Sequence, residues 1–391
     1  MFERLDFDRF HREDVPGALA RGFGRIGAPA VENLGALAFQ LPDGRAWTYE
    51  AVDGDLSIRP GTDGARTTVN VSEEAWSDFV QEAHTTPGLL YAGVVTFEGG
   101  GYDALDRWEP ALRALYTGRP IYNPSIVAGI DLSASFRLDD AGAAEYLKHA
   151  GFVHLRQVFT ADEIAEVSDE VERLRTKAVS GDRRSWWARN AAGQEVLCRL
   201  IYTSLVSDSI AEFAVDTRFD RLMSLAGTPL LAAHDRMDGV SVVIKNPSVI
   251  EGLSDLPWHR DCGLGGHPVI CPGLNIGVQL DHADADNGQL HFLAGSHESS
   301  CAPPSTGDTD LPIVAIDTQP GDVTVHFGHV LHAAPPPLSP TAGRRAMYLT
   351  YVAPRLFDVI GREQGYNDVL FEATDDGHIA SVDERLANAK G

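Results

Sequence analysis

At 391 residues, 43% hydrophobic and 23% charged, the chain has apolar material for two domains with real cores, in the proportions of a soluble globular protein. Its 32 basic residues against 56 acidic ones leave a net charge of -24, which argues against nucleic acid or an anionic membrane surface as a partner. No stretch approaches the ~20 apolar residues of a membrane helix, no basic-then-apolar leader opens the chain at Met1, and a cytoplasmic location is expected.

The first 125 residues read as a separate small α+β domain. Leu37–Leu41, the turn Pro42-Asp43-Gly44 and Trp47–Val52 form a hairpin of strands, Asp53-Gly54-Asp55 turns into Leu56-Ser57-Ile58, and Thr67–Val71 alternates as a further strand. Ser72 is placed to cap a helix carrying Trp76, Phe79 and Val80 on one face. After the Gly93–Phe97 strand, a second amphipathic helix from Asp103 to Tyr116 presents Leu105, Trp108, Leu112 and Leu115, with Pro110 expected to shorten or bend it. This pattern of strands and helices is similar to sterol-carrier-protein-2-like domains, which implies a lipophilic ligand. The other reading makes Trp47, Trp76 and Trp108 the packed core of an accessory domain.

Gly118–Pro124 is Pro/Gly-rich, and residues 126–135 are taken as a linker to a second domain over 136–360. A helix from Asp140 to His149, a short strand Gly151–Leu155, and a long helix from Ala161 to about Val179 capped by Thr160 open that domain. Residues 180–200, with Trp186, Trp187, Arg183, Arg184 and Arg189, are either the lining of a substrate mouth or a surface loop. A helical stretch over Ser209–Ala226 leads to Asp238–Lys245. From there, short strands separated by Gly, Pro, Asp and Asn read as an all-β sandwich or barrel. Residues 361–391 form a polar tail. Cys198, Cys262, Cys271 and Cys301, lacking C-x-x-C spacing, are expected to be reduced thiols.

The chemistry concentrates in Pro257-Trp258-His259-Arg260-Asp261. On an extended strand, residues two apart point the same way, so an imidazole and a carboxylate converge. His332 supplies a third ligand from a distant strand, and two His with one carboxylate is the facial set of non-haem Fe(II) oxygenases. His326 and His329 are its nearby rivals. The H-x-D pair is followed in order by Asn287-Gly288-Gln289-Leu290, Gly295-Ser296-His297, Gly321-Asp322, His332 and Arg344-Arg345-Ala346.

With these motifs the chain resembles the phytanoyl-CoA dioxygenase family of Fe(II)/2-oxoglutarate oxygenases, over roughly residues 136–357. The resemblance implies an α+β chain with a double-stranded β-helix (jelly-roll) core and flanking helices. It implies Fe(II), 2-oxoglutarate and O2 as cofactor and cosubstrates, and hydroxylation of a small-molecule C–H bond. Onto this sequence it carries His259, Asp261 and His332 as iron ligands and favours His332 over its rivals, because it lies twelve residues before Arg344. Asp261 argues against the halogenating branch, in which a small residue makes room for chloride.

A 2-oxoglutarate carboxylate calls for a bidentate, permanently charged partner. Arg344, with Ala346 on the same strand face, fits that role; a one-residue slip would give it to Arg345, and Lys245 is a second cation nearby. Three positions depart from the family pattern: Ala334 in place of serine, Gly277 in place of an aromatic, and Gln279 in place of a small residue. Asn275, Gly277 and Gln279 alternate onto one face. The two amides either bind cosubstrate or substrate, or are satisfied by the backbone. Gly295-Ser296-His297 is expected to be a structural turn, and His267 is expected in a loop beside the metal strand, either at the surface or within reach of substrate. A lipid, terpenoid or acyl-type metabolite is the expected substrate; the competing readings are an inactive metabolite-binding protein and a zinc hydrolase on a cupin-like barrel, which would not need Arg344.

Overall fold

The computed structural model describes residues 3–252, 256–263, 271–304, 309–359, 367, 370–371, 374 and 376–388. It divides into two compact units, one built mainly on Met1–Ile126 and the other holding every described strand from Phe152 onward. No described helix is long and apolar enough to cross a membrane. The four cysteines are buried.

In the first unit, the described residues form strands β1 (Leu37–Gln40), β2 (Ala46–Val52), β3 (Asp55–Pro60), β4 (Thr67–Val71) and β5 (Val95–Gly99), in the order β3-β2-β1-β4-β5. The expected β1–β2 hairpin forms, with Leu37 opposite Tyr49. Asp53 and Gly54 join β2 to β3 with both φ angles positive (51° and 77°), as a two-residue hairpin turn that matches strand twist requires. Ser72 caps the helix Glu73–Val80 through the Ala75 amide at 3.1 Å.

The second helix runs through Pro110 as Gly101–Thr117, so the expected shortening does not occur. An interior proline costs about 3 kcal/mol. Leu105 and Trp108 before it, and Leu112 and Leu115 after it, are all fully buried, each contributing roughly 1.5–3 kcal/mol. Their sum outweighs the penalty. Trp76 and Trp108 lie inside this unit's core with Phe7, Phe39, Tyr49 and Phe79, and Trp47 packs against it.

The second unit contains β6 (Phe152–Leu155), β7 (Ser185–Asn190), β8 (Glu195–Leu200), β9 (Leu231–Ala232), β10 (Val240–Lys245), β11 (Val249–Glu251), β12 (Leu256–His259), β13 (Leu274–Gln279), β14 (Leu290–Leu293), β15 (Ile313–Ile316), β16 (Val323–Phe327), β17 (His332–Ala334) and β18 (Arg344–Val352). The larger sheet has the order β11-β7-β8-β10-β18-β13-β16-β6, with β9 beside β18; the smaller has the order β12-β17-β14-β15. Two antiparallel sheets with helices around them are the jelly-roll architecture. Phe152 of the larger sheet stacks on Phe292 of the smaller one at 4.5 Å, inside the sandwich.

Several sequence expectations shift here. Residues 185–200 are not a surface loop but the β7–β8 hairpin, with Trp186 buried. The stretch 209–226 is two helices, Asp208–Phe213 and Thr217–Ser224, because Asp216 starts a new one by accepting the Arg218 amide at 2.8 Å. The long helix ends at Arg175, earlier than expected. Of the tail, Asn367 is buried, where it accepts from Trp186 Nε1 at 3.0 Å, and Val382–Asn388 is helical.

Candidate metal and cosubstrate site

β12 ends at His259 and β17 begins at His332, and the antiparallel register makes these two residues direct partners. Directly opposed side chains share a face, and the ring centroids lie 4.3 Å apart. His259 Nδ1 donates to the Pro257 carbonyl at 2.7 Å, and His332 Nδ1 donates to the Val330 carbonyl at 3.1 Å. A carbonyl can only accept, so each Nδ1 carries the hydrogen and each Nε2 keeps its lone pair, which is the tautomer a metal needs.

Asp261 arrives by a different route from the one its spacing suggests. The strand stops at His259, and Asp261 sits in a bend beyond it, so strand alternation is not what aligns the pair. The bend nonetheless brings its carboxylate to the imidazoles: the ligand atoms of His259, Asp261 and His332 all lie within 4.8 Å of one another. Two neutral nitrogens and one carboxylate oxygen suit a divalent first-row metal. His326, the rival to His332, stands beside it with ring centroids 4.5 Å apart.

Arg344 opens β18 directly opposite Lys245 of β10. Its side chain is 2% exposed, and its Nε donates to the Gly288 carbonyl at 2.7 Å. Among the described residues, Nη1 is buried with no hydrogen-bond partner. A buried permanent cation with an unused donor is costly unless something anionic completes it. Gly288 leaves room for Lys245 beside it: with φ at +81°, a Cβ there would lie 2.6 Å from the Pro335 carbonyl and 3.2 Å from Lys245 Cε. Lys245 is equally buried and donates Nζ to the Ala334 carbonyl at 2.7 Å. Arg345 points the other way and is taken up by both oxygens of Asp281 at 2.8 Å and by Glu172 at 2.9 Å.

Asn275, Gly277 and Gln279 face the inside of the larger sheet, opposite Thr350, Tyr348 and Ala346. Both amides have protein partners there. Thr350 Oγ1 donates to Asn275 Oδ1 at 2.7 Å; Gln279 Nε2 donates to the Gly277 carbonyl at 3.2 Å and lies 3.4 Å from Thr324 Oγ1. Gly295 and Ser296–Glu298 form the expected turn, with His297 buried. His267 lies outside the described residues. Three contributors carry no sequence signal at all: the Pro257, Val330 and Gly288 carbonyls, which orient side chains by backbone alone. Tyr348, packed over Gly277, is a further residue that spacing could not single out.

A family model, Phytanoyl-CoA dioxygenase (PhyH), matches residues 147–346, which is 200 of the 391 residues. No curated protein matches the chain. Similar solved structures include AviO1 from Streptomyces viridochromogenes Tue57, 23% identical over 56% of this chain and 97% of that one, with a TM-score of 0.45. The non-heme alpha ketoglutarate dependent epimerase SnoN from nogalamycin biosynthesis is 22% identical over 54% of this chain and 81% of that one, with a TM-score of 0.42. EctD from S. alaskensis, with 2-oxoglutarate and 5-hydroxyectoine, is 20% identical over 60% of this chain and 82% of that one, with a TM-score of 0.46. The assignment rests on the family model, whose span exceeds half of the sequence. The chain therefore belongs to the phytanoyl-CoA dioxygenase family, as an oxygenase that works with non-haem iron and 2-oxoglutarate.

Proposed function

We propose that this oxygenase hydroxylates an unactivated C–H bond of a small, apolar metabolite, with His259, Asp261 and His332 holding Fe(II) and Arg344 holding the far carboxylate of 2-oxoglutarate. When bound, iron and cosubstrate supply the oxidising power: O2 and 2-oxoglutarate become CO2 and succinate, with one oxygen atom entering succinate and the other the product.

The chain's own part is geometry and charge. The Pro257 and Val330 carbonyls fix both imidazoles with Nε2 forward, and Asp261 adds the one negative charge that a ferrous ion needs from its protein ligands. Arg344 presents an unused buried donor, and Lys245 adds a second positive charge beside it. This pairing suits a dicarboxylate that reaches from metal to guanidinium. The observation that carries the reading is Arg344 Nη1, buried without a partner among the described residues in the unit that also holds His259 and His332. The proposed apolar substrate rests on the resemblance to sterol-carrier domains that the sequence of residues 1–125 suggests; the family model covers residues 147–346 and gives that resemblance no support.

The test is succinate release from 2-oxoglutarate, with and without Fe(II), followed by a screen of apolar metabolites for stoichiometric hydroxylated product. Iron-dependent succinate with a matching hydroxylated product supports the proposal. Iron-independent hydrolysis, or no succinate at all, contradicts it.

A further inference from the structure

The inner face of the larger sheet can be followed in rows. Antiparallel partners share a face, so Arg344 and Lys245 form one row, and Ala346 with Gln279 and Val243 the next. Tyr348 with Gly277, Ser241 and Thr324 forms the third, and Thr350 with Asn275 and His326 the fourth. The fourth row borders the metal ligands, because the His326 ring lies 4.5 Å from His332. Tyr348 thus stands, along the inner face of the larger sheet, in the row between those of Arg344 and of His326, the residue that borders the metal ligands.

The space around it is built for the ring. A Cβ at Gly277 would lie 2.7 Å from Tyr348 Cε1 and 2.8 Å from Thr324 Oγ1, closer than real Cβ atoms approach anything. Gly277 is therefore the recess into which the Tyr348 ring settles, and even one methyl group there would push the ring out. On β18 itself the neighbouring residue on this face is the small Ala346, flanked by Val243 and Gln279 on the adjoining strands, so Tyr348 is the large inward-facing group on that strand between Arg344 and Thr350.

We propose that Tyr348 is a cosubstrate-positioning residue: its ring, seated over Gly277, is the wall along which 2-oxoglutarate lies between the metal and Arg344. This rests on the function proposed above and adds a residue of this chain that the three-ligand motif and Arg344 do not include. A flat, rigid wall limits where the carbon chain can lie without costing much entropy of its own.

The experiment is calorimetric titration of 2-oxoglutarate into full-length protein loaded with Mn(II), which binds without turnover. Wild type, Tyr348→Ala, Tyr348→Leu, Tyr348→Phe and Gly277→Ala are compared, with Mn(II) affinity measured separately for each. Tyr348→Ala and Tyr348→Leu are expected to weaken 2-oxoglutarate about tenfold or more, with Mn(II) affinity held within about threefold. Gly277→Ala is expected to weaken it about fivefold by displacing the ring, and Tyr348→Phe to stay within about threefold. Unchanged 2-oxoglutarate affinity in Tyr348→Leu and Gly277→Ala overturns the proposal, as does a full tenfold loss already in Tyr348→Phe, which would put the effect on the hydroxyl. A wild type that takes Mn(II) but no 2-oxoglutarate overturns the functional reading itself, a different and distinguishable result.

Discussion

Arg344 and Arg345 are adjacent on β18 and have opposite surroundings: the first is buried with a donor that no described residue takes up, the second is clasped from outside by Asp281 and Glu172. Substituting each in turn should separate the two roles. Arg344→Ala should weaken 2-oxoglutarate by about 30-fold or more, the cost of roughly 2 kcal/mol or more for deleting one side of a buried charge pair. Arg345→Ala should leave that affinity unchanged and lower stability by about 1 kcal/mol, since its carboxylate partners are partly exposed. Titration calorimetry and urea unfolding read the two effects; equal losses of cosubstrate affinity in both variants would contradict the assignment.

Asn367 ties the tail to the β7–β8 hairpin. It accepts from Trp186 Nε1 at 3.0 Å, donates to the Met237 carbonyl at 2.9 Å, and contacts Asp238. Asn367→Ala leaves buried groups unsatisfied and should cost roughly 2–4 kcal/mol, at about 1–3 kcal/mol per group. Urea unfolding followed by tryptophan fluorescence checks this; a loss under about 0.5 kcal/mol, typical of surface substitutions, would show that the tail is not anchored there.

Acid should weaken the first unit through His11. Burial lowers its pKa from 6.5 to about 4, against the weaker opposing pull of its bond to the Phe7 carbonyl and of Asp8. The ring is fully enclosed, donating Nδ1 to Phe7 and accepting from the Tyr49 hydroxyl at 2.7 Å. Well above pH 6.5 neither the folded nor the unfolded chain protonates it, and its contribution is complete. As pH falls from there towards 4, the unfolded chain takes up a proton that the folded one refuses, so roughly 3 kcal/mol is lost. In His11→Gln that part of the slope should be absent, while the part from buried His84, likewise lowered to about 4, remains. The check is the urea midpoint at pH 7 and pH 5; the same difference in both proteins would place the acid sensitivity elsewhere.

The site was more legible in the sequence than the reasons for it. His259, Asp261 and His332 stand out by residue type and order, yet strand alternation does not align Asp261, because the strand ends at His259 and a bend does the work. Which of Arg344 and Arg345 faces inward depends on strand parity, which a sequence leaves open by one residue. The β7–β8 hairpin was hidden because Trp186 and Trp187 are adjacent, and a register shift between them blurs the alternation that marks a strand. Tyr348 and Gly277 are 71 positions apart and acquire meaning only when β13 and β18 pair. Pro110 shows the reverse, a strong local signal overruled by the burial of Leu105, Trp108, Leu112 and Leu115.

The metal set is the centre of the account, and anaerobic Fe(II) binding tests it most directly. Wild type should bind one ferrous ion per chain, and His332→Ala, which removes a buried ligand directly opposite His259, should bind none at the same iron concentration. Stoichiometric, unweakened Fe(II) binding by His332→Ala would contradict it.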